Sequence, residues 1–316
     1  MPAFPAKALV CALVLLLSGC GSAATSAPQA EARGASQPAS KARPQTAPQT
    51  VPREGPLASA QASVAMPRRD LTQAEVKAVY QSLQKHYGSA IGRLSGSQDK
   101  GWQVEVNGVA VPLTGGSVER DIVSSDIAHT LYWGGIYPFD PSRPSTPDGV
   151  RPGRVRCFPF MHALYGSSKE EVARQLKTVR FMGQSVSFFG RYGAAEALEA
   201  VSRDLEAQDR AHPELNLREK CKTAGTFMWR KVSGENMLSP HSFATAIDLN
   251  TKYATYWRWQ KNPNQRHSQQ DSYPREIVEA FERHGFVWGG KWHEYDIMHF
   301  EYRPEVLDFA RTRQGR

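Results

Sequence analysis

The chain has 316 residues, 40% of them hydrophobic, and a formal net charge of +8 at pH 7. This length accommodates one good-sized domain with additional segments. The positive charge favours an anionic partner, or else reflects a solvated surface. No basic helix with interleaved aromatic residues occurs, so nucleic acid is not predicted as a partner.

The first twenty residues have the pattern of an export signal. Lys7 is followed by an apolar run at residues 8–17, which is shorter than the about 20 apolar residues that a spanning helix needs. The motif L-S-G-C, ending at Cys20, resembles a bacterial lipobox and predicts lipidation of Cys20. An ordinary signal peptide cut elsewhere is the alternative. Because Gly21 does not resemble a signal for retention at the inner membrane, we expect an outer-membrane anchor facing the periplasm.

The next two segments differ sharply in composition. Residues 21–66 are rich in Ala, Pro, Ser and Gln, and bury too little apolar surface to offset chain entropy, which predicts a disordered linker. The pattern of residues 67–119, a segment called the prelude below, predicts a helix over residues 71–86 and a hairpin over residues 102–113. The hairpin turns at Asn107-Gly108. We expect this prelude to pack on the main domain, with a separate binding module as the alternative.

The main domain is predicted to extend over residues 120–316. Its first part, residues 121–157, is a proline-rich loop of the kind that often has a function. Hydrophobic spacing then predicts helices over residues 169–180 and 193–205, with a strand at residues 183–189 between them.

Cysteine usage is consistent with export. Cys11 would be removed with the signal and Cys20 would be lipidated, which leaves Cys157 and Cys221. An even pair in an oxidising compartment predicts a disulfide between them. A second metal site is the alternative, but neither neighbourhood offers obvious further ligands.

Two short segments combine imidazole and carboxylate side chains. The first reads S-P-H-S-F-A-T-A-I-D-L-N and the second Y-D-I-M-H-F-E, and their candidate site residues are His241, Asp248, Asp296 and His299. Such a set suffices for a hydrolytic zinc centre, in which three groups hold the ion and the remaining carboxylate accepts a proton from water.

The spacing of these residues constrains the backbone. Ligand atoms of one zinc lie within a few ångströms of each other, whereas residues seven apart are about 10 Å apart on a helix. The chain must therefore bend between His241 and Asp248, and we expect a turn after Pro240 that leads into a strand at residues 246–249. Asp296 is expected at the bend that enters a second strand.

These segments resemble a known family. The pattern S-x-H-x-x-A-x-A-x-D, followed by W-G-G-K-W and D-x-x-H-F-E, is similar to the D-alanyl-D-alanine carboxypeptidase and L-alanyl-D-glutamate endopeptidase family of zinc peptidases, the VanY-like group. The resemblance extends over about residues 120–310. One departure is Ala244, which stands where the family usually has glycine.

The resemblance implies roles for individual residues. It implies zinc as the cofactor, with three ligands: His241, Asp248 and His299. It implies that Asp296 is the general base and that Arg230 holds a substrate carboxylate or the developing oxyanion. Ser239 and Trp292, which belong to the same motifs, are predicted substrate contacts. Glu301, two residues beyond the last ligand, is expected to orient its imidazole.

The resemblance also implies fold and function. The expected fold is α+β, a small antiparallel sheet flanked by helices, of the hedgehog/D-Ala-D-Ala-peptidase-like type. The expected function is hydrolysis of peptidoglycan stem peptides by metal-activated water, as a D-alanyl-D-alanine carboxypeptidase or an L-alanyl-D-glutamate endopeptidase. The alternative is a non-catalytic peptidoglycan-binding lipoprotein with a retained zinc site, which Ala244 favours. The predicted partners are stem peptides and, through Cys20, the membrane.

Overall fold

In a computed structural model of the protein, the structure describes residues 71–116, 118–120, 123–139, 151–232, 236–259 and 268–316. The predicted signal peptide, Cys20 and the predicted linker lie outside these residues. No helix among the described residues is long and apolar enough to cross a membrane.

The described part of the chain alternates helices with short strands. The helices are α1 Gln73–Tyr87, α2 Ile127–Gly134, α3 Phe158–Tyr165, α4 Lys169–Ala173, α5 Ala194–Ala211, α6 Leu217–Lys220, α7 Ser268–Ser272, α8 Arg275–Arg283 and α9 Pro304–Arg313. The strands are β1 Ile91–Ser97, β2 Gly101–Val106, β3 Val109–Pro112, β4 Val118–Arg120, β5 Val123–Ser124, β6 Arg156–Cys157, β7 Leu176–Phe181, β8 Gln184–Phe189, β9 Thr223–Gly225, β10 Ala246–Leu249, β11 Phe286–Trp288 and β12 His299–Tyr302.

These strands form small sheets, and the mixed arrangement confirms the predicted α+β class. The described strands pair as β1-β2-β3, β4-β5-β6, β7-β8 and β11-β12-β10-β9. All neighbours are antiparallel except β5 and β6. The sheet β11-β12-β10-β9, called the central sheet below, has aromatic residues on the face that meets α8, where the rings of Phe281 and Phe300 stack at 4.0 Å.

Helix α1 begins where its sequence specifies an N-cap. The Thr72 hydroxyl accepts a hydrogen bond from the Glu75 backbone N–H at 3.3 Å, and the Glu75 carboxylate accepts one from the Thr72 backbone N–H at 2.9 Å. This capping box satisfies two donors that have no partner within the helix. Its C-terminal end is anchored by the Tyr87 hydroxyl, which donates to Glu305 of α9 at 2.6 Å. The prelude's helix and hairpin therefore form as predicted, and α1 contacts the C-terminal helix.

Two predictions of local structure are wrong. The expected loop over residues 121–157 contains helix α2 and strands β5 and β6. Residues 169–180 form only the short helix α4 before the chain enters β7, which pairs with β8 as a hairpin. The turn between them uses positive φ at Met182 (47°) and Gly183 (82°). Two consecutive residues with positive φ produce the turn twist that antiparallel strands favour, and cross-strand pairing overrides the helical spacing.

Candidate metal site

The central sheet brings the two metal-binding segments together. Strands β10 and β12 are antiparallel neighbours, and their register places Asp248 directly opposite His299. His241 precedes β10 on a short 3-10 turn, Pro240–Phe243, which ends at Ala244 with φ 54° and ψ 27°. This left-handed residue reverses the chain direction. The chain therefore bends between His241 and Asp248, as their spacing predicts.

Three side chains converge on one point. The Asp248 carboxylate lies between the two imidazoles, with Oδ2 3.1 Å from His241 Nε2 and Oδ1 3.0 Å from His299 Nδ1. One ligand atom from each residue lies within 4.8 Å of the other two. The three residues predicted as metal ligands are therefore the ones that the fold assembles.

The donor atoms fit a zinc ion. His241 Nδ1 lies 2.7 Å from the Thr226 carbonyl, so the proton of the neutral ring resides on Nδ1 and Nε2 carries the lone pair. That Nε2 is buried and makes no hydrogen bond among the described residues. Two imidazoles and a carboxylate, with no fourth ligand in the cluster among the residues that the structure describes, match a zinc site that keeps a position for water.

A buried carboxylate lies next to one of the candidate metal ligands. Glu301 is fully buried in β12, with Oε2 3.6 Å from His299 Nε2 and 2.7 Å from the Arg156 guanidinium. Burial raises the pKa of Glu301, but Arg156 and His299 outweigh burial and hold this pKa well below its usual range. Glu301 is therefore a carboxylate that can orient the His299 ring, as the sequence predicts.

The charges of Asp248, His299 and Glu301 shift one another's protonation. Burial raises the pKa of Asp248, but the two histidines outweigh burial and the pKa lies well below its usual range. Burial lowers the pKa of His299, but Asp248 and Glu301 raise this pKa to about 9. The site therefore stabilises positive charge between its carboxylates, which a bound cation also provides.

Asp296 lies beside the ligands at the bend before β12. Its carbonyl accepts a hydrogen bond from the His299 N–H at 3.2 Å, and its backbone pairs with Tyr256. The carboxylate oxygen Oδ1 is buried and has no hydrogen-bond partner among the described residues. Burial raises the pKa of Asp296 to about 6. A carboxylate with this pKa near a metal-activated water has the properties of a general base.

Arg230 is tied to the ligand turn through its backbone. Its N–H donates to the Ser242 hydroxyl at 3.1 Å, and its carbonyl accepts a hydrogen bond from the Ser239 N–H at 2.9 Å. The side chain is exposed, and one guanidinium N–H donates to the neighbouring Lys231 carbonyl at 3.3 Å. The structure therefore places Arg230 next to the turn that carries His241, with its charged end in solvent.

The two predicted substrate contacts are buried. The Ser239 hydroxyl accepts a hydrogen bond from the His241 N–H at 3.4 Å and caps the ligand turn. Trp292 is 3% exposed, its indole N–H donates to the Pro152 carbonyl at 2.8 Å, and its ring lies 5.6 Å from that of His299. Both residues position metal ligands, and their burial does not support the predicted contact with substrate.

The structure contradicts the predicted disulfide. Cys157 and Cys221 are both buried free cysteines. Cys157 lies in β6, paired with Ser124 of β5, whereas Cys221 follows α6 and its carbonyl accepts a hydrogen bond from Gln184. An even number of cysteines indicates that a disulfide is possible. Whether the two sulfur atoms come into contact depends on where the fold places each cysteine. Burial raises the pKa of Cys157 to about 12, so this thiol is unreactive.

An open groove of about 310 Å³ includes Thr226, whose carbonyl accepts a hydrogen bond from His241. One wall is β8 and the other is β9, the edge strand of the central sheet, continued by Thr226 and Phe227. Through this hydrogen bond the groove adjoins one of the candidate metal ligands. An edge strand offers unpaired backbone groups, which an extended peptide can use.

Sequence reasoning overlooked three arginines near the site, two of which lie against Trp292. Arg151, Arg154 and Arg156 come from the end of the proline-rich loop, and the last two lie over the Trp292 ring at 5.3 and 5.9 Å. Glu294 pairs with Arg151, and lies 3.5 Å from Arg154. The run R-P-G-R-V-R could have indicated this cluster in the sequence, because three cations within six residues need anionic partners.

The fold and the site define an α+β protein with a His/Asp/His cluster that could bind a metal ion. A family model described as D-alanyl-D-alanine carboxypeptidase matches residues 233–302, which include the metal cluster and Asp296. This match confirms the family resemblance over that segment and implies a hydrolase; peptidases of this family typically depend on zinc. Comparison with curated proteins and with solved structures gave no match.

Proposed function

We propose that the protein is a zinc-dependent peptidase that hydrolyses peptidoglycan stem peptides, as a D-alanyl-D-alanine carboxypeptidase or an L-alanyl-D-glutamate endopeptidase. The observation that carries the proposal is the convergence of His241, Asp248 and His299, with Asp296 beside them. The family match supports the substrate class, and the groove along β9 supports an extended peptide. The hedgehog/D-Ala-D-Ala-peptidase-like fold is part of the same proposal.

The chemistry divides among a few residues. His241, Asp248 and His299 would hold a zinc ion, which when bound supplies Lewis acidity and lowers the pKa of a coordinated water toward 7. Asp296 accepts a proton from the attacking water and returns it to the leaving amine. Arg230 contributes positive charge for a substrate carboxylate or the developing oxyanion.

The proposed location follows from the amino terminus. A lipid anchor on Cys20, followed by the linker at residues 21–66, would hold the peptidase at the outer membrane while allowing it to reach the cell wall. About 45 flexible residues have a root-mean-square span of a few tens of ångströms. In the periplasm such a tethered enzyme meets stem peptides continuously.

Cleavage of defined muropeptides by the full, zinc-loaded chain tests the proposal, with products identified by mass spectrometry with and without a chelator. We expect chelator-sensitive cleavage that Asp296→Ala reduces by about 100-fold or more while the metal content stays unchanged. Asp99→Ala, in an exposed turn, is the matched control.

The products distinguish the two enzyme types. Loss of a terminal alanine indicates the carboxypeptidase, whereas release of the stem from L-alanine indicates the endopeptidase. If the zinc-loaded protein binds stem peptides but cleaves none of them, the non-catalytic peptidoglycan-binding lipoprotein replaces the proposal.

A further inference from the structure

Arg154 lies against a residue that contacts the metal site. Its guanidinium carbon is 5.3 Å from the centre of the Trp292 ring, and that ring is 5.6 Å from His299. The side chain is 13% exposed. Arg154 is therefore a largely buried cation one side chain away from a proposed zinc ligand.

The charges around Arg154 do not balance. Arg151 occupies both carboxylate oxygens of Glu294, so that Arg154, at 3.5 Å, only shares this group. The neighbouring Arg156 is paired with Glu301 instead. Among the described residues, Arg154 has no carboxylate of its own. A buried cation that shares its counter-charge with a second arginine is only partly compensated, so the site favours an additional anion.

The charge of Arg154 also acts on the proposed catalytic region. Burial lowers the pKa of Arg154 itself, as expected for a cation with too little negative charge around it. The Arg154 charge lowers the pKa of Asp296 and of Tyr256, against the larger raising effect of burial on both residues. Together with the 5.3 Å approach to the Trp292 ring, which lies 5.6 Å from His299, this charge effect assigns the guanidinium to the surroundings of the metal site.

We propose that Arg154 forms a carboxylate-binding subsite beside the metal site and receives a free carboxylate of the stem peptide. A planar guanidinium can bind both oxygens of a carboxylate, which a lysine cannot. This inference rests on the proposed function. Binding of a substrate carboxylate and stabilisation of the developing oxyanion are two roles that one arginine serves poorly. Arg154 binds the carboxylate, and the exposed Arg230 is left for the developing oxyanion.

The test is peptide binding, which does not require turnover. Isothermal titration calorimetry would measure a stem pentapeptide, as the free acid and as the C-terminal amide, on the full zinc-loaded chain carrying Asp296→Ala. We expect the acid to bind about tenfold or more tightly than the amide. Adding Arg154→Met should abolish this preference by weakening only the acid. Arg180→Met, at an exposed position on β7, is the matched control and should retain it.

Two results would overturn the inference. Either the parent protein binds acid and amide equally, or Arg154→Met leaves the preference for the acid intact or weakens both peptides alike. Arg154→Lys is the control for misfolding, because this variant keeps the positive charge. We expect it to lower the preference for the acid over the amide several-fold, with unchanged melting temperature and zinc content. Failure of the proposed function is separate, because it appears as lack of cleavage by the chain that retains Asp296.

Discussion

Ala244 has a backbone conformation that suits glycine. Its φ of 54° lies in the left-handed region, which costs an L-residue about 1–2 kcal/mol. The residue is fully buried and ends the turn that carries His241. The departure from the family glycine therefore leaves the ligand turn in place, and its cost is local strain.

Substitutions at this position test that strain. We expect Ala244→Gly to change the free energy of unfolding by less than about 1 kcal/mol, because relief of strain is offset by glycine's chain entropy and the lost methyl contact. Ala244→Val should lower it by about 2 kcal/mol or more, since a β-branched residue fits left-handed backbone poorly. Urea unfolding measures both, and a neutral valine variant would contradict the assigned conformation.

His299 links metal binding to pH. Its neighbours raise the pKa to about 9 in the metal-free protein, so the ring is protonated at pH 7. A metal ligand must be unprotonated, and zinc binding at pH 7 should therefore release about one proton, with affinity falling as the pH decreases. Calorimetry in buffers of different ionisation enthalpy measures this release. Binding without proton release would show that His299 is already neutral or is not a ligand.

At the scale of elements, β12 carries both a metal ligand and the carboxylate behind it. Adjacent strand residues point to opposite faces, so that His299 and Glu301, two residues apart, share one face. Glu301 also lies 2.7 Å from Arg156 of β6 and 3.6 Å from Arg303. The central sheet is thereby connected to β6 through a buried ionic network.

Removing the charge of Glu301 should destabilise this network. Glu301→Gln leaves two buried guanidinium groups without full compensation, and we expect a loss of about 3 kcal/mol in the free energy of unfolding. Because the folded-state pKa of Glu301 is depressed, the loss should be complete above about pH 4.3 and should shrink as the pH falls. Glu214→Gln, at an exposed pair with His212, should cost less than about 0.5 kcal/mol. Equal effects would contradict the network.

At the scale of the whole molecule, the prelude packs against the C-terminal helix. Val76, Val79 and Leu83 of α1 are buried. Lys85 pairs with Asp308 of α9, and the Asn107 side chain of the hairpin donates to the Ala163 carbonyl of α3 at 2.9 Å. The first and last helices of the described chain therefore stabilise each other.

Deleting residues 67–119 tests this dependence. Burial of the three aliphatic side chains of α1 alone contributes about 5–8 kcal/mol, which is comparable to the total stability of a domain. We expect the shortened chain to lose cooperative thermal unfolding and zinc binding. A deletion variant that unfolds cooperatively and binds zinc would instead identify the prelude as a separate module.

Much of the site could be predicted from sequence because its geometry is local. The spacing between His241 and Asp248 required a turn followed by a strand, and the structure has both. Helix α1 was predictable from its periodicity. In contrast, the spacing predicts helix where the structure has β7, because the six residues of this strand depend on pairing with β8.

By itself, the sequence identified the residues that the fold assembles at the candidate metal site: two histidines, two aspartates and the turns that present them. Only the tertiary structure decided that Cys157 and Cys221 stay apart, that Trp292 is buried, and that Arg154 lies beside the site and shares Glu294 with Arg151. The physical reason is distance along the chain. Residues within one turn or strand are positioned by local backbone geometry, whereas contacts between remote segments depend on how the sheets and helices pack.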